Sequence, residues 1–236
     1  MQIGKETLSL LRNNIRQGDG CTMKISDRLL RQYLDHVYWI CGGPCGGKST
    51  MTKLLSSKWD LNYYSSDDHT FDYQKKANPQ DHPAILRHFI DWEWFFLGRG
   101  NDRSHWLNSV FDESVEFIIL DLLQMGKEKP IVVDTFMEPA YLREIVNPNR
   151  VVYMFAEDDL IRAEYLDRDH LRGMEGLFPS LSDPQRARDE TLNTVVRASN
   201  HYLQQAEQYQ LKWFMRTPQS NKEQMLLEVE KHLGFR

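Results

Sequence analysis

The ten residues CGGPCGGKST (41–50) constrain this chain more than any other stretch. They lie between an apolar, β-favouring run, HVYWIC (36–41), and KSTMTKLLSSK (48–58), which is rich in helix formers. Gly42, Gly43, Pro44, Cys45, Gly46, Gly47, Lys48 and Ser49 match G-x-x-x-x-G-K-[ST] at every fixed position. Glycines let successive backbone N–H groups turn inward and form an anion-binding nest. The following helix points its positive end, and its orphan N–H groups, at the same anion. Lys48 brings a mobile charge to the outer phosphates, Ser49 a hydroxyl for Mg²⁺, and Thr50 a further contact to a phosphate oxygen. With a strand before it and a helix after it, the stretch reads as a nucleotide site rather than a plain turn.

A redox pair is the competing reading. Cys41 and Cys45 are separated by three residues, not the two of a thioredoxin-type motif, and a zinc site needs more ligands close by. Cys41 reads as a small apolar residue closing a buried strand. Cys45, beside a lysine and a helix N-terminus, is the more reactive thiol of the two. Three cysteines in 236 residues, with nine methionines, fit a reducing cytosol. The opening MQIGKETLSLLRNNIRQ has no secretory h-region, and apolar runs such as FIIL are too short to cross a bilayer. A cytoplasmic protein with no membrane partner is expected. The formal net charge of −5 argues against a general nucleic-acid scaffold, which needs a concentrated basic surface.

Further strands are expected at LNYYSSDD (61–68), PIVVDTF (130–136), RVVYMFA (150–156) and LKWFMRT (211–217). Residues 1–36 read as two amphipathic helical segments with a turn at QGDGC (17–21). The aromatic stretches at 88–98 and 104–125 read as helices, as do a segment opened by Pro139, the charged run 157–174, and about 183–207. Ser220 is the expected cap of a closing helix, NKEQMLLEVEKHL. Short apolar strands alternating with helices argue for a parallel α/β sheet. In such sheets ligands bind at the carboxyl ends of the strands. The glycine loop and SSDD both fall at such ends.

A GTPase needs a guanine-specifying N-K-x-D, and NKEQ at 221–224 lacks the aspartate. Motor-type ATPases place a glutamate directly after the strand-end aspartate, whereas Asp134 is followed by Thr135. The chain instead resembles, over roughly residues 37–233, the nucleoside-monophosphate-kinase-like group of P-loop small-molecule kinases, which includes shikimate, gluconate, uridine and zeta-toxin kinases. The resemblance rests on the glycine loop, on SSDDH (65–69) at the end of the second strand and, more loosely, on Asp81-His82-Pro83. It implies a three-layer α/β/α P-loop NTPase fold with a parallel sheet of about five strands and a helical lid. It also implies ATP and Mg²⁺ as cofactors and a small-molecule hydroxyl as acceptor. The implied division is an N-terminal helical extension (1–36) and a kinase domain (37–236), with an acceptor-binding insert at about 70–125 and a lid at about 157–182.

Carried over residue by residue, the resemblance makes Asp67, or its neighbour Asp68, the carboxylate that orients or deprotonates the acceptor and reaches the metal. Asp134 either holds Mg²⁺ or caps its strand. Arg162 and Arg168, with Arg172, are the candidates to carry charge from the lid to the transferring phosphoryl group, a task suited to a planar guanidinium. The same run, EDDLIRAEYLDRDHLRGM, holds six acidic residues that could pair with them in a solvated helix. Trp92, Trp94, Phe95, Phe96 and Trp106, with Arg87, His88, Arg99 and Arg103, lie in the insert as acceptor contacts or as core and rim. His69, His82 and His88 match no compact metal pattern. A P-loop ATPase or switch, and a nucleotide-binding regulatory module that uses residues 1–36 for a partner, are the alternative functions.

Overall fold

The computed structural model of the chain describes residues 25–87, 92–98, 100–167 and 176–235, and only the backbone of 100–104. Strands β1 (Val37–Gly42), β2 (Asn62–Ser65), β3 (Ile131–Asp134), β4 (Val151–Ala156) and β5 (Trp213–Arg216) form one sheet. Every pair is parallel and the order is β2-β3-β1-β4-β5. β1, β3 and β4 are buried along their whole length, which explains why they read as continuous apolar runs rather than alternating ones.

The connections are helical: α1 (Asp27–Tyr33), α2 (Lys48–Trp59), α3 (Thr70–Lys76), α4 (Trp92–Leu97), α5 (Gly100–Met125), α6 (Pro139–Ile145), α7 (Asp158–Glu164), α8 (Pro184–Gln208) and α9 (Lys222–Leu233). Alternate strand residues face two separate cores. Tyr38, Ile40, Val132, Val152 and Met154 pack with Met51 and Leu55 of α2 and Val229 and Leu233 of α9. Trp39, Cys41, Val133, Tyr153 and Phe155 face the other way, onto α1, α5, α6 and α8. The result is a three-layer α/β/α fold.

Local chemistry sets the element ends. Pro139 occupies the first turn of α6, as expected. α9 is capped by Asn221, whose Oδ1 accepts from the Gln224 amide at 2.8 Å, and not by Ser220. The Ser220 hydroxyl is already used, accepting from the Thr217 amide at 2.8 Å to close the turn after β5. β2 stops at Ser65, and Ser66–His69 coil into a 3₁₀ turn, so SSDD is a strand end followed by a turn rather than a strand throughout. Of the N-terminal extension, α1 buries Leu30 and Leu34 in the same core as β1. The first expected helix and the turn at 17–21 lie outside the described residues. No helix among the described residues is long and apolar enough to cross a membrane.

Candidate functional site: a phosphate loop at the carboxyl edge of the sheet

β1 delivers the chain into the loop at Gly42, and α2 begins at Lys48. Gly42 has φ +120°, and a Cβ there would lie 2.1 Å from the Met154 carbonyl oxygen of β4. At Gly46 a Cβ would meet the same oxygen at 2.5 Å. The loop therefore lies directly on the main chain of a buried strand, a closeness only glycine permits. α2 opens at Gly47 with no side-chain cap and no acidic residue in its first turn. No side chain therefore caps its first N–H groups, and no carboxylate in its first turn offsets the positive end of the helix.

Cations hold two loop carbonyls. Lys48 is 6 % exposed, and its Nζ donates to the Gly43 oxygen at 2.8 Å while lying 4.2 Å above the ring of Phe136. Arg216, at the end of β5, donates from Nη1 to the Cys45 oxygen at 2.8 Å. The same guanidinium forks onto Glu164, at 2.6 and 2.9 Å. Cys45 adopts φ +58°, a left-handed conformation that costs a residue bearing a Cβ about 1 kcal/mol or more. Cys41 is wholly buried; burial pushes its thiol well up, with Lys48 opposing and Asp134 reinforcing the shift. This is the inert, space-filling cysteine that the sequence suggests.

The register places the acidic residues on the same edge. Asp134 lies opposite Ile40 of β1 on one side and Ser65 of β2 on the other. It is 7 % exposed, and among the described residues its carboxylate takes part in no hydrogen bond or ion pair. With the Ser49 hydroxyl in the first turn of α2, it offers the oxygen donors that a magnesium ion uses alongside water, and so the residues fit that metal. Asp67 and Asp68 follow β2 in the 3₁₀ turn and are exposed, two strands from the loop, about 10 Å across the sheet.

That turn is held from behind. The Tyr64 hydroxyl contacts the Tyr73 hydroxyl and donates to Asp121 Oδ2 at 3.0 Å, and Lys76 pairs with Asp121 Oδ1 at 3.2 Å. The His69 ring stacks on Tyr64, 4.7 Å between centroids. Burial, first among its causes, pushes the Tyr73 phenol up to about 12, and the Tyr64 phenol is raised further by the same cause. Both hydroxyls therefore keep their protons for this network.

The other candidates fall into distinct groups. Arg162 donates to Asn193 Oδ1 of α8 at 2.9 Å, and among the described residues it pairs with no carboxylate. Arg168 and Arg172 lie outside the described residues, as does His88. Phe95 and Phe96 are core, packed with Phe178, Leu181 and Leu192. Trp94 and Trp106 line a cavity of about 600 Å³ with Arg87, His105, Ser109 and Glu113. There Arg87 lies 4.2 Å over the Trp94 ring, and both Glu113 oxygens are taken by the Ala84 and Ile85 amides. His82 of the Asp-His-Pro sequence is buried against Phe117 and accepts from the Asn78 amide, a packing role. Among the described residues no group of His, Cys, Asp or Glu could hold a metal by itself.

Sequence reading missed Arg216 and Phe136. Arg216 carries no motif of its own, although its place at the end of a strand was a signal. Phe136 follows Asp134 by two residues and bridges Lys48 to Phe111 of α5, whose ring stacks on it at 5.9 Å.

No family model and no curated protein matches the chain. Among solved structures it is similar to a "putative kinase" from Chloroflexus aurantiacus J-10-fl, at 12% identity and TM-score 0.47 over 85% of this chain and 99% of that one. It is also similar to shikimate kinase from Acinetobacter baumannii in complex with shikimate, at 14% identity and TM-score 0.48 over 88% and 98%. Overlaps this loose leave the fold assignment to the strand order and the loop. Those two features make it a P-loop NTPase fold of the three-layer α/β/α type.

Proposed function

We propose that the chain is a kinase that uses ATP and Mg²⁺ to transfer the γ-phosphoryl group to a hydroxyl of a small molecule. The observation that carries this reading is the shared carboxyl edge. A phosphate cradle at the end of β1, a buried carboxylate at the end of β3 and an exposed acidic pair after β2 lie on consecutive strands. Phosphoryl transfer asks a protein mainly for alignment and for neutralisation of charge, and this edge offers both.

In this reading the N–H groups of Gly43 and of Cys45 to Thr50 hold the phosphate tail, Pro44 having none to give. Lys48 leaves the Gly43 carbonyl to meet the β- and γ-oxygens. Ser49 and Asp134, together with Asp67, are the residues that would hold Mg²⁺, which would neutralise charge on the phosphate oxygens. Asp67 accepts the proton of the acceptor hydroxyl as its oxygen forms the new bond to phosphorus, and ADP leaves with the bridging oxygen. Asp68 is the alternative base. Arg162 and Arg168 bring positive charge from the lid at 157–182. The insert at 70–125 binds the acceptor, and the open cavity lined by Trp94 and Trp106 lies within it.

The test is incubation of the protein with γ-labelled ATP, Mg²⁺ and a metabolite pool, with labelled products identified by mass. A labelled small molecule that disappears with Lys48→Ala, while that variant keeps the wild-type circular dichroism spectrum, supports the reading. Label found only in inorganic phosphate favours an ATPase. Unchanged turnover in the Lys48 variant contradicts the assignment.

A further inference from the structure

We propose that Arg216 is the positioning residue of the phosphate loop. Aimed by Glu164, it holds Cys45 in its left-handed backbone conformation and so keeps the loop folded before nucleotide arrives. This rests on the nucleotide reading of the loop but adds a residue that no motif contains.

Glycine occupies positions 42, 43, 46 and 47, yet the loop residue with φ +58° between them is a cysteine. A Cβ disfavours that conformation, so something outside the residue must stabilise it. The Cys45 carbonyl accepts from Arg216 Nη1 at 2.8 Å. The guanidinium is aimed by a second contact, since Nη1 and Nη2 also bond the two oxygens of Glu164 at 2.6 and 2.9 Å. Both anchors stand on rigid elements. Arg216 pairs with Ala156 in the β4–β5 ladder and its own carbonyl accepts from the Glu157 amide at 3.1 Å, while Glu164 ends the helix that starts directly after β4.

The Arg216 and Glu164 side chains are 33% and 42% exposed, so their ion pair adds little to global stability. What the fork supplies is direction. A lysine ammonium, lacking the planar fork, cannot reproduce it. Together with the bond from Lys48 to Gly43, it places cations on two loop carbonyls.

The test combines site-resolved iodoacetamide labelling without nucleotide with calorimetric affinities for Mg-ATP and for inorganic tripolyphosphate. Arg216→Ala is expected to raise the labelling rate of Cys45 at least fivefold, the rates being compared at full thiol ionisation so that loss of the neighbouring cation does not enter, while Cys41 stays unlabelled. It should weaken both ligands about tenfold. Arg216→Lys should fall within twofold of Arg216→Ala, and Glu164→Gln between that variant and wild type; these two also serve if Arg216→Ala does not fold. In a Cys45→Gly background, where the left-handed conformation needs no help, Arg216→Ala should cost less than twofold. The same tenfold loss in that background would overturn the proposal, as would wild-type labelling and affinity in Arg216→Ala. A loss confined to Mg-ATP would also overturn it, since Arg216 would then be contacting the nucleoside. If the wild-type protein binds neither ligand, the nucleotide reading fails and the Cys45 labelling rates alone decide whether Arg216 holds the loop.

Discussion

Around the phosphate loop the decisive contacts are made to main chain. Lys48 and Arg216 hold loop carbonyls, and Gly42 and Gly46 rest on the backbone of Met154. Two strands away, around Asp67 and Asp68, the contacts join side chains: Tyr64 to Tyr73 and Asp121, Asp121 to Lys76, and His69 to Tyr64. The difference follows from what each region is proposed to bind. A phosphate tail is the same in every nucleotide and is met by N–H groups, which any sequence with the right glycines can supply. An acceptor differs between enzymes and must be met by side chains. The loop region is therefore sensitive to a single added methyl group, while the acidic region should respond to lost functional groups and tolerate changes of shape better.

The largest effect expected from that contrast is at Gly46. Alanine there would place its Cβ 2.5 Å from the Met154 oxygen and 2.9 Å from the Phe155 nitrogen, in a buried strand that cannot move aside. Calorimetry should show Mg-ATP affinity falling about a hundredfold, in line with an overpacking penalty of about 3 kcal/mol. Gly126→Ala is the control. Its φ is +72° with nothing within 4 Å, so chemical denaturation should show a loss of about 1 kcal/mol with nucleotide affinity unchanged. Equal losses of affinity at the two glycines would mean that the close approach of Gly46 to Met154 is not what nucleotide binding depends on.

Asp67→Asn should come next. Steady-state kinetics is expected to show turnover reduced up to about a hundredfold, with Mg-ATP affinity within about threefold of wild type. If Asp68→Asn alone behaves so, the base is the neighbouring carboxylate.

Tyr64→Phe should be milder. Removing a hydroxyl that donates to Asp121 in a buried network should cost about 1–2 kcal/mol in urea unfolding, and leave Mg-ATP affinity unchanged. A parallel fall in nucleotide affinity would mean that the two regions are not built separately.

The smallest effect is expected at a contact that belongs to neither region. Glu138, at the N-terminus of α6, is held below its usual range by the hydrogen bond from His201, which is raised in turn. The contribution of His201 is complete below the ordinary imidazole value of 6.5 and is lost as pH rises through the raised value. That of Glu138 is complete above 4.5 and is lost as pH falls through the lowered value. The contact is thus strongest between about pH 4.5 and 6.5. His201→Asn should lower the melting temperature mainly in that window. With side chains 60% and 36% exposed, the loss should be under about 1 kcal/mol.

The loop and the sheet were legible in the sequence because each follows from local rules. Glycines at fixed spacing announce the loop, and β-branched and aromatic runs announce strands buried on both faces. Arg216 was not legible, since its partner at Cys45 lies 171 positions away and no spacing rule connects them. The Tyr64–Tyr73–Asp121 network was missed for the same reason. In the aromatic insert the sequence left core and acceptor contact open, and packing grades the residues: Phe95 and Phe96 are buried in a core, and Trp94 and Trp106 pack against it while also lining a cavity. Hydrophobicity alone cannot draw that line. Ser220 and Asn221 are both good caps, and only the turn after β5 decides between them.

The central claim is that the main-chain amides of the loop converge on one polyphosphate. Amide NMR of the ¹⁵N-labelled protein, titrated with Mg²⁺ and inorganic tripolyphosphate, tests it most directly. The largest shifts are expected on Gly46, Gly47, Lys48 and Ser49. Saturable binding with those four amides unmoved would contradict it.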